Sequence, residues 1–342
     1  MSSNLKELYC EVKKYIEMID FSKLWNGFNP FKFALYNENE CFYDGNYIEK
    51  TPEFLANTAI SYNGEIIAIW NVQSEYDPII LTSKLVHEMF HGFQMANNES
   101  RFFDDLDSLY NYKYDENNLG LKLRENQLIY QLVDNFDEDK FNELLKIRKY
   151  RFNNFQYEYH YESSIEQIEG SANYVELSCL KQLSGELFNR KLTTIKESII
   201  NANNMLPIRV ISYDIGALLL LIMCENNIKF DNSFSKITFS ENILLDIKEE
   251  KYIVDTSIKE VIENYFLKAD NIINEAIKKN DVVTNIPSEI LGVNIYNAIY
   301  YNNHMVSTYF VMYGLKDDKK IEYGNFVIET KEYKKLTKIY RI

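Results

Sequence analysis

The sequence predicts an α+β protein: a mostly helical body with a small β-sheet toward its N-terminal side, followed by a small antiparallel β subdomain. Three observations predict it. Apolar residues recur at three- and four-residue spacing along most of the chain up to about residue 280. Residues 55–72, LANTAISYNGEIIAIWNV, place Asn63-Gly64 between two β-rich arms, the signature of a hairpin with a type I′ turn. After Pro287 the character changes to runs rich in Tyr, Val, Ile and Thr. These put a helical domain at 1–285 and a β subdomain at 286–342.

The elements follow in order. Leu5, Leu8, Val12, Tyr15 and Ile16 make one apolar face of a helix over 4–18. After the hairpin, Pro78 and a cap at Thr82 or Ser83 start a helix that runs to about Asn97. Residues 101–118 are polar and irregular, and 119–183 are helical in several pieces. A helix covers about 190–203, a strongly apolar one runs from Ile208 to about Glu225 behind Pro207, and more helix occupies roughly 255–280. Strands are expected at 291–301, 304–314, 322–330 and 336–342, with breaks at Asn302-Asn303 and Asp317-Asp318.

Composition narrows the function. The 342 residues are 46% hydrophobic, enough for a sizeable core. A net charge of -14 repels phosphate backbones and anionic lipid, so neither nucleic acid nor a membrane surface is an expected partner. The N-terminal stretch lacks a basic start followed by an apolar core, and the longest apolar run, Ile215 to Cys224, is too short to span a bilayer. Cys10, Cys41, Cys179 and Cys224 show no CxxC spacing and are expected to be free, buried thiols. The expected location is the cytoplasm. The oligomeric state is not legible.

The chemistry centres on HEMFH, residues 87–91. Only four histidines occur, and roughly 0.003 matches of this pattern are expected by chance in such a chain. Four residues apart on a helix, His87 and His91 lie on one face and can hold one metal ion, with Lys84 and Gln94 extending their stripe. Leu85, Val86, Met89, Phe90 and Phe93 would bury the rest of that helix. Glu88, about 100° round the helix, falls beside a metal-activated water rather than on the metal, as a general base must. The alternative is a core helix with two hydrogen-bonded histidines.

A third ligand has to come from elsewhere, since no histidine follows at short spacing. Residues 161–179, YESSIEQIEGSANYVELSC, carry two stripes. Ile165, Ile168, Ala172, Val175 and Cys179 form an apolar seam; Glu162, Glu166, Glu169, Asn173 and Glu176 form a polar one beside it. Carboxylates in line repel one another, and a bound dication would relieve them. The bland reading is a solvated acidic face. Small Gly170 and Ala172 would let this helix approach the HExxH helix closely.

IEGSANYVE, residues 168–176, resembles the EGxAxYxE helix of gluzincins, the zinc peptidases related to aminopeptidase N and, more distantly, thermolysin. The resemblance implies a zincin-like catalytic domain and makes Glu169 the third Zn²⁺ ligand beside His87 and His91, with Glu166 as the fallback. ISYDIGALLLLIM, residues 211–223, resembles the family's YxKGA helix start, which implies that Tyr213 hydrogen-bonds the oxyanion. Ile215 stands where the family has Lys, and no GxMEN strand precedes HExxH. Residues of about 101–160 would form a helical insertion between the ligands. Asn173 would orient a ligand from behind.

The expectation is a zinc metallopeptidase acting on a peptide or protein substrate, with His87, His91 and Glu169 on the metal, Glu88 as base and Tyr213 at the oxyanion. A non-peptide hydrolase with the same centre and a non-catalytic zinc-binding sensor are the alternatives. His160 and His304 are expected to be structural. Arg124, Glu125 and Arg148 are expected either to brace the insertion through ion pairs or to lie on the surface.

Overall fold

The computed structural model describes residues 4–253, 257–315 and 318–342. The fold is α+β. It begins with α1 (Leu5–Glu17), capped by Asn4, whose side chain accepts from the backbone of Lys6 and Glu7. A five-stranded sheet follows, built from β1 (Lys32–Tyr36), β2 (Cys41–Tyr43), β3 (Asn46–Ile48), β4 (Thr58–Tyr62) and β5 (Glu65–Asn71) in the order β3-β2-β1-β5-β4. The hairpin read from Asn63-Gly64 is there: Tyr62 pairs with Glu65, and both turn residues have positive φ. The β2–β3 hairpin turns on Asp44-Gly45 with the same geometry. Alternation decides the two faces of this sheet. Phe33, Leu35, Ala68 and Trp70 face the helices, while Ala34, Tyr36, Ile67 and Ile69 are covered by Phe54.

Next comes α2 (Pro78–Ala96), which carries HEMFH. Its cap is not Thr82 or Ser83 but Asp77, which accepts from Ile79 N at 2.8 Å and Ile80 N at 3.2 Å. Pro78 sits in the first turn, where no amide hydrogen is needed, so the helix starts a turn earlier than expected. Thr82 and Ser83 are buried and bond back to Pro78 O and Ile80 O. Residues 101–118 are not wholly irregular: α3 (Asp105–Asn111) is capped by Asp104. Then follow α4 (Glu116–Asp134), α5 (Glu138–Asn154) and α6 (Gln156–Ile165), a π-helical turn at Glu166–Gly170, and α7 (Ser171–Leu183). Four more helices are α8 (Gly185–Ile200), α9 (Ile208–Glu225), the short α10 (Phe239–Asn242) and α11 (Lys259–Lys279).

The C-terminal strands are shorter and more numerous than expected: β6 (Val282–Thr284), β7 (Ser288–Val293), β8 (Ile299–Tyr301), β9 (His304–Ser307), β10 (Phe310–Leu315), β11 (Asp318–Tyr323), β12 (Phe326–Glu332) and β13 (Lys335–Arg341). They form an antiparallel sheet in the order β11-β10-β7-β13-β12-β9-β8, with β6 on β13. The break at Asn302-Asn303 is a turn with both φ positive. At the other expected break, Asp317 lies outside the described residues and Asp318 opens β11. Met305, Ile328 and Ile339 on one sheet face join Leu106, Leu109 and Tyr110 of α3; Val306, Val327 and Tyr340 on the other face pack on Ile273 and Ala276 of α11.

All four cysteines are free, Cys41 and Cys179 buried, but Cys10 and Cys224 exposed. Among the described residues, no helix is long and apolar enough to cross a membrane.

Candidate metal centre

The apolar face of α2 is buried as its spacing requires, with Leu85, Val86 and Met89 fully inside. Gly92, just after HEMFH, lets the sheet close on the helix: a β-carbon there would meet Ile66 Cγ2 at 3.0 Å. His87 and His91 project from the helix edge toward the π-turn that carries Glu169. Glu169 Oε2 lies 3.4 Å from His91 Nε2 and 4.0 Å from His87 Nε2, and the two ring nitrogens are 3.1 Å apart. One ligand atom from each residue falls within 4.8 Å of the others, the arrangement a metal ion needs.

The hydrogen bonds fix which atoms face inward. Gln94 Nε2 donates to Ile168 O at 2.9 Å and to Ser171 Oγ at 3.2 Å. That leaves Gln94 Oε1 to accept from His91 Nδ1 at 2.8 Å. With Nδ1 as donor, neutral His91 turns the lone pair of Nε2 inward. His87 Nδ1 is buried without a hydrogen-bond partner among the described residues, and the negative charge of Glu176 Oε2, 3.6 Å away, favours the tautomer with its proton on that side. Both Nε2 lone pairs therefore converge with a carboxylate oxygen. Such a set repels itself unless a cation sits in it. In the metal-free protein a proton serves. Burial would push His91 down, but the Glu169 carboxylate raises it to about 9. Burial and the charge of His91 push His87 down to about 4. Burial would raise Glu169 as well, but His91, His87 and Arg209 hold it at about 2. The donor set of two imidazoles and one carboxylate, with Gln94 holding His91 from behind, could hold a metal ion.

Glu88 stands apart from the metal-ligating group. It makes no side-chain hydrogen bond among the described residues, and burial raises its carboxyl to about 7. Tyr213, on α9, accepts from Arg209 Nη2 at 3.2 Å and shares a 3.1 Å hydrogen bond with the hydroxyl of Tyr296. Burial and the charge of Glu169 push the Tyr213 hydroxyl well above its usual range, so it stays a donor.

No match was found in any comparison with protein-family models, curated proteins or solved structures.

Several expectations are corrected by the geometry. Glu166 is not available as a ligand: it is fully buried on Arg148, Lys122 and Ser240. The polar seam is not one face. Glu162 and Glu166 point into a buried network with Lys122, Arg148, Arg151 and Glu125, so three cations, not a metal, relieve their repulsion. Arg148 and Glu125 are internal braces, while Arg124 is half-exposed on Glu143. Gly170 does not serve the approach to α2: it meets Gly216 of α9. Asn173 makes no side-chain hydrogen bond among the described residues, and Gln94 orients His91 instead. His160 pairs with Glu241, and His304 bonds the Asn302 carbonyl.

Four participants were missed. Arg209 was legible in principle, as a lone cation one turn before Tyr213 at the start of an apolar helix. Glu176, which the sequence shows only as one member of the polar seam, lies behind His87. Asp105 lay in a stretch read as irregular. Tyr296 comes from the loop between β7 and β8, inside a segment read as one strand, and has no local signal.

Proposed function

We propose that this chain is a zinc-dependent hydrolase acting on peptide bonds. The observation that supports it is the convergence of His87 Nε2, His91 Nε2 and Glu169 Oε2 beside Glu88, a buried glutamate whose side chain makes no hydrogen bond among the described residues. A divalent cation held by the three would supply Lewis acidity, lowering the pKa of water and polarising the scissile carbonyl.

The chain's own residues do the rest. Glu88, with a carboxyl near neutrality, accepts a proton from water and passes it to the departing amine. Tyr213 donates its hydroxyl hydrogen to the carbonyl oxygen as negative charge develops there. Its oxygen accepts from Arg209 meanwhile, which fixes where the hydroxyl points. Gln94 holds the His91 imidazole from behind, and the Glu176 carboxylate lies behind that of His87 at 3.6 Å. The likeness of EGSANY and YDIGA to gluzincin motifs supports the peptidase reading over other hydrolases.

The test is elemental analysis of wild type and Glu169→Ala purified without added metal. The expected result is about one zinc per wild-type chain, lost in the variant. A peptide panel then follows with Glu88→Gln, which should keep its zinc and lose hydrolysis. Full activity in Glu88→Gln sinks the mechanism; no metal in wild type, even after zinc is offered, sinks the site.

A further inference from the structure

We infer that Arg209 is the positioning residue of the metal centre: by occupying Oε1 of Glu169 it leaves that carboxylate a single oxygen, Oε2, to offer a cation. The inference rests on the metal-site reading above.

Arg209 leaves α9 one turn before Tyr213, and its side chain is only 11% exposed. Nη2 reaches Glu169 Oε1 at 3.3 Å and Tyr213 Oη at 3.2 Å. Nη1 is paired with Asp105 of α3. The guanidinium carbon lies 5.5 Å from the Tyr213 ring centre and 5.8 Å from that of Tyr296. Two carboxylates and two aromatic rings thus fix the fork. An arginine meant for a substrate carboxylate would keep its charge free; here both terminal nitrogens are committed inside the protein.

The consequence falls on Glu169. Its two oxygens have different environments: Oε1 faces Arg209, and Oε2 faces the imidazoles at 3.4 and 4.0 Å. A carboxylate held this way cannot rotate to chelate with both oxygens without breaking a charge-assisted hydrogen bond. Three protein atoms then face the cation, and the remaining position stays free for water, as a catalytic zinc site requires. Lysine is no substitute, because one ammonium cannot present two nitrogens to Asp105 and Glu169 at once.

The experiment uses zinc-free wild type, Arg209→Met and Arg209→Lys. Zinc affinity is read by competition with a chromophoric chelator, and the visible spectrum is read after loading with cobalt(II). Arg209→Met should bind zinc about tenfold to a hundredfold more weakly. Its cobalt absorption should fall, as the freed carboxylate chelates and the coordination number rises. Arg209→Lys should recover part of the affinity but not the spectrum. A folded Arg209→Met with wild-type affinity and spectrum overturns the inference and leaves the metal site standing. If Arg209→Met does not fold, Arg209→Lys decides alone: wild-type affinity and spectrum overturn the inference, and weaker binding with an altered spectrum supports it. Wild type that takes up neither metal overturns the reading beneath it.

Discussion

Gly170 and Gly216 meet backbone to backbone: a β-carbon on Gly170 would lie 2.7 Å from Gly216 Cα, and one on Gly216 would lie 2.8 Å from Glu166 Cα. The segment that carries Glu169 and the helix that carries Tyr213 are thus spaced by the lack of two side chains. Gly216→Ala must push them apart, since the clash is with backbone and no side chain can swing away. The expected cost is about 1–3 kcal/mol, as for other overpacked cores. Thermal unfolding should show a lower Tm, and a zinc titration should show weaker binding, because Glu169 moves with its helix. An unchanged Tm would mean that the two helices slide apart freely.

Gln94 makes three hydrogen bonds: one to His91 on its own helix, and two, to Ile168 O of the π-turn and Ser171 of α7, that join α2 to its neighbours. Gln94→Leu keeps the bulk and loses all three. Zinc affinity should fall about tenfold or more as His91 loses its fixed tautomer. Stability should fall by about 1–3 kcal/mol for the buried groups left unpaired. The two effects separate experimentally by chemical denaturation of the metal-free variant.

The buried ionic network behind α6 predicts a severe variant. Arg148 donates to Glu166 at 2.5 Å and to Glu125 at 3.2 Å, all three groups fully buried. Arg148→Met strands carboxylates in the interior and should destabilise by about 3–5 kcal/mol. Denaturant unfolding at neutral pH measures it, and a loss below 1 kcal/mol would mean that water enters to solvate the carboxylates.

Acid should dismantle the same network. Burial opposes ionisation of Glu162, yet Arg151 and Lys122 hold its carboxyl down at about 2, against 4.5 for the ordinary group. A depressed native pKa stabilises the fold above pH 4.5, and the contribution is lost as pH falls from there toward 2. Wild type should therefore lose Tm steeply across that window. Glu162→Gln should be less stable than wild type at neutral pH, with the gap closing as acid removes the charge from the wild type. A constant gap at every pH would assign the effect to packing instead.

Tyr213→Phe tests the donor. On a peptide that wild type cleaves, turnover should fall about a hundredfold or more, with zinc content and Tm little changed. Equal turnover would free Tyr213 of any part in the chemistry.

What the sequence made legible is what local periodicity encodes. The face of α2 that pairs His87 with His91 follows from helical spacing alone. So does the hairpin at Asn63-Gly64, because only a few residue pairs take positive φ twice. Glu169 was reached through a short motif, and the structure sets it beside both histidines. What stayed hidden depends on contacts across long sequence separations. Nothing near Glu162 and Glu166 tells that Lys122, Arg148 and Arg151 will neutralise them, so the stripe reads as solvated. β1 is a five-residue run without alternation, because both faces of the sheet are covered there, one by the helices and the other by Phe54. Asp105, Arg209 and Tyr296 come together from α3, α9 and a loop of the C-terminal sheet, a meeting that no window of sequence contains.

The π-turn at Glu166–Gly170 makes the centre a matter of reading frame. An unbroken α-helix turns about 100° per residue, so carboxylates at 162, 166 and 169 would share one side. The widened turn divides them: the first two serve the charged interior, and the third serves the histidines. Deleting one residue from this turn would restore a regular helix at no cost in composition, yet would rotate one set of carboxylates away from its partners. A changed letter here disturbs one of the two charge systems, whereas a missing one separates them from each other, and any shortened descendant would have to find its third ligand again.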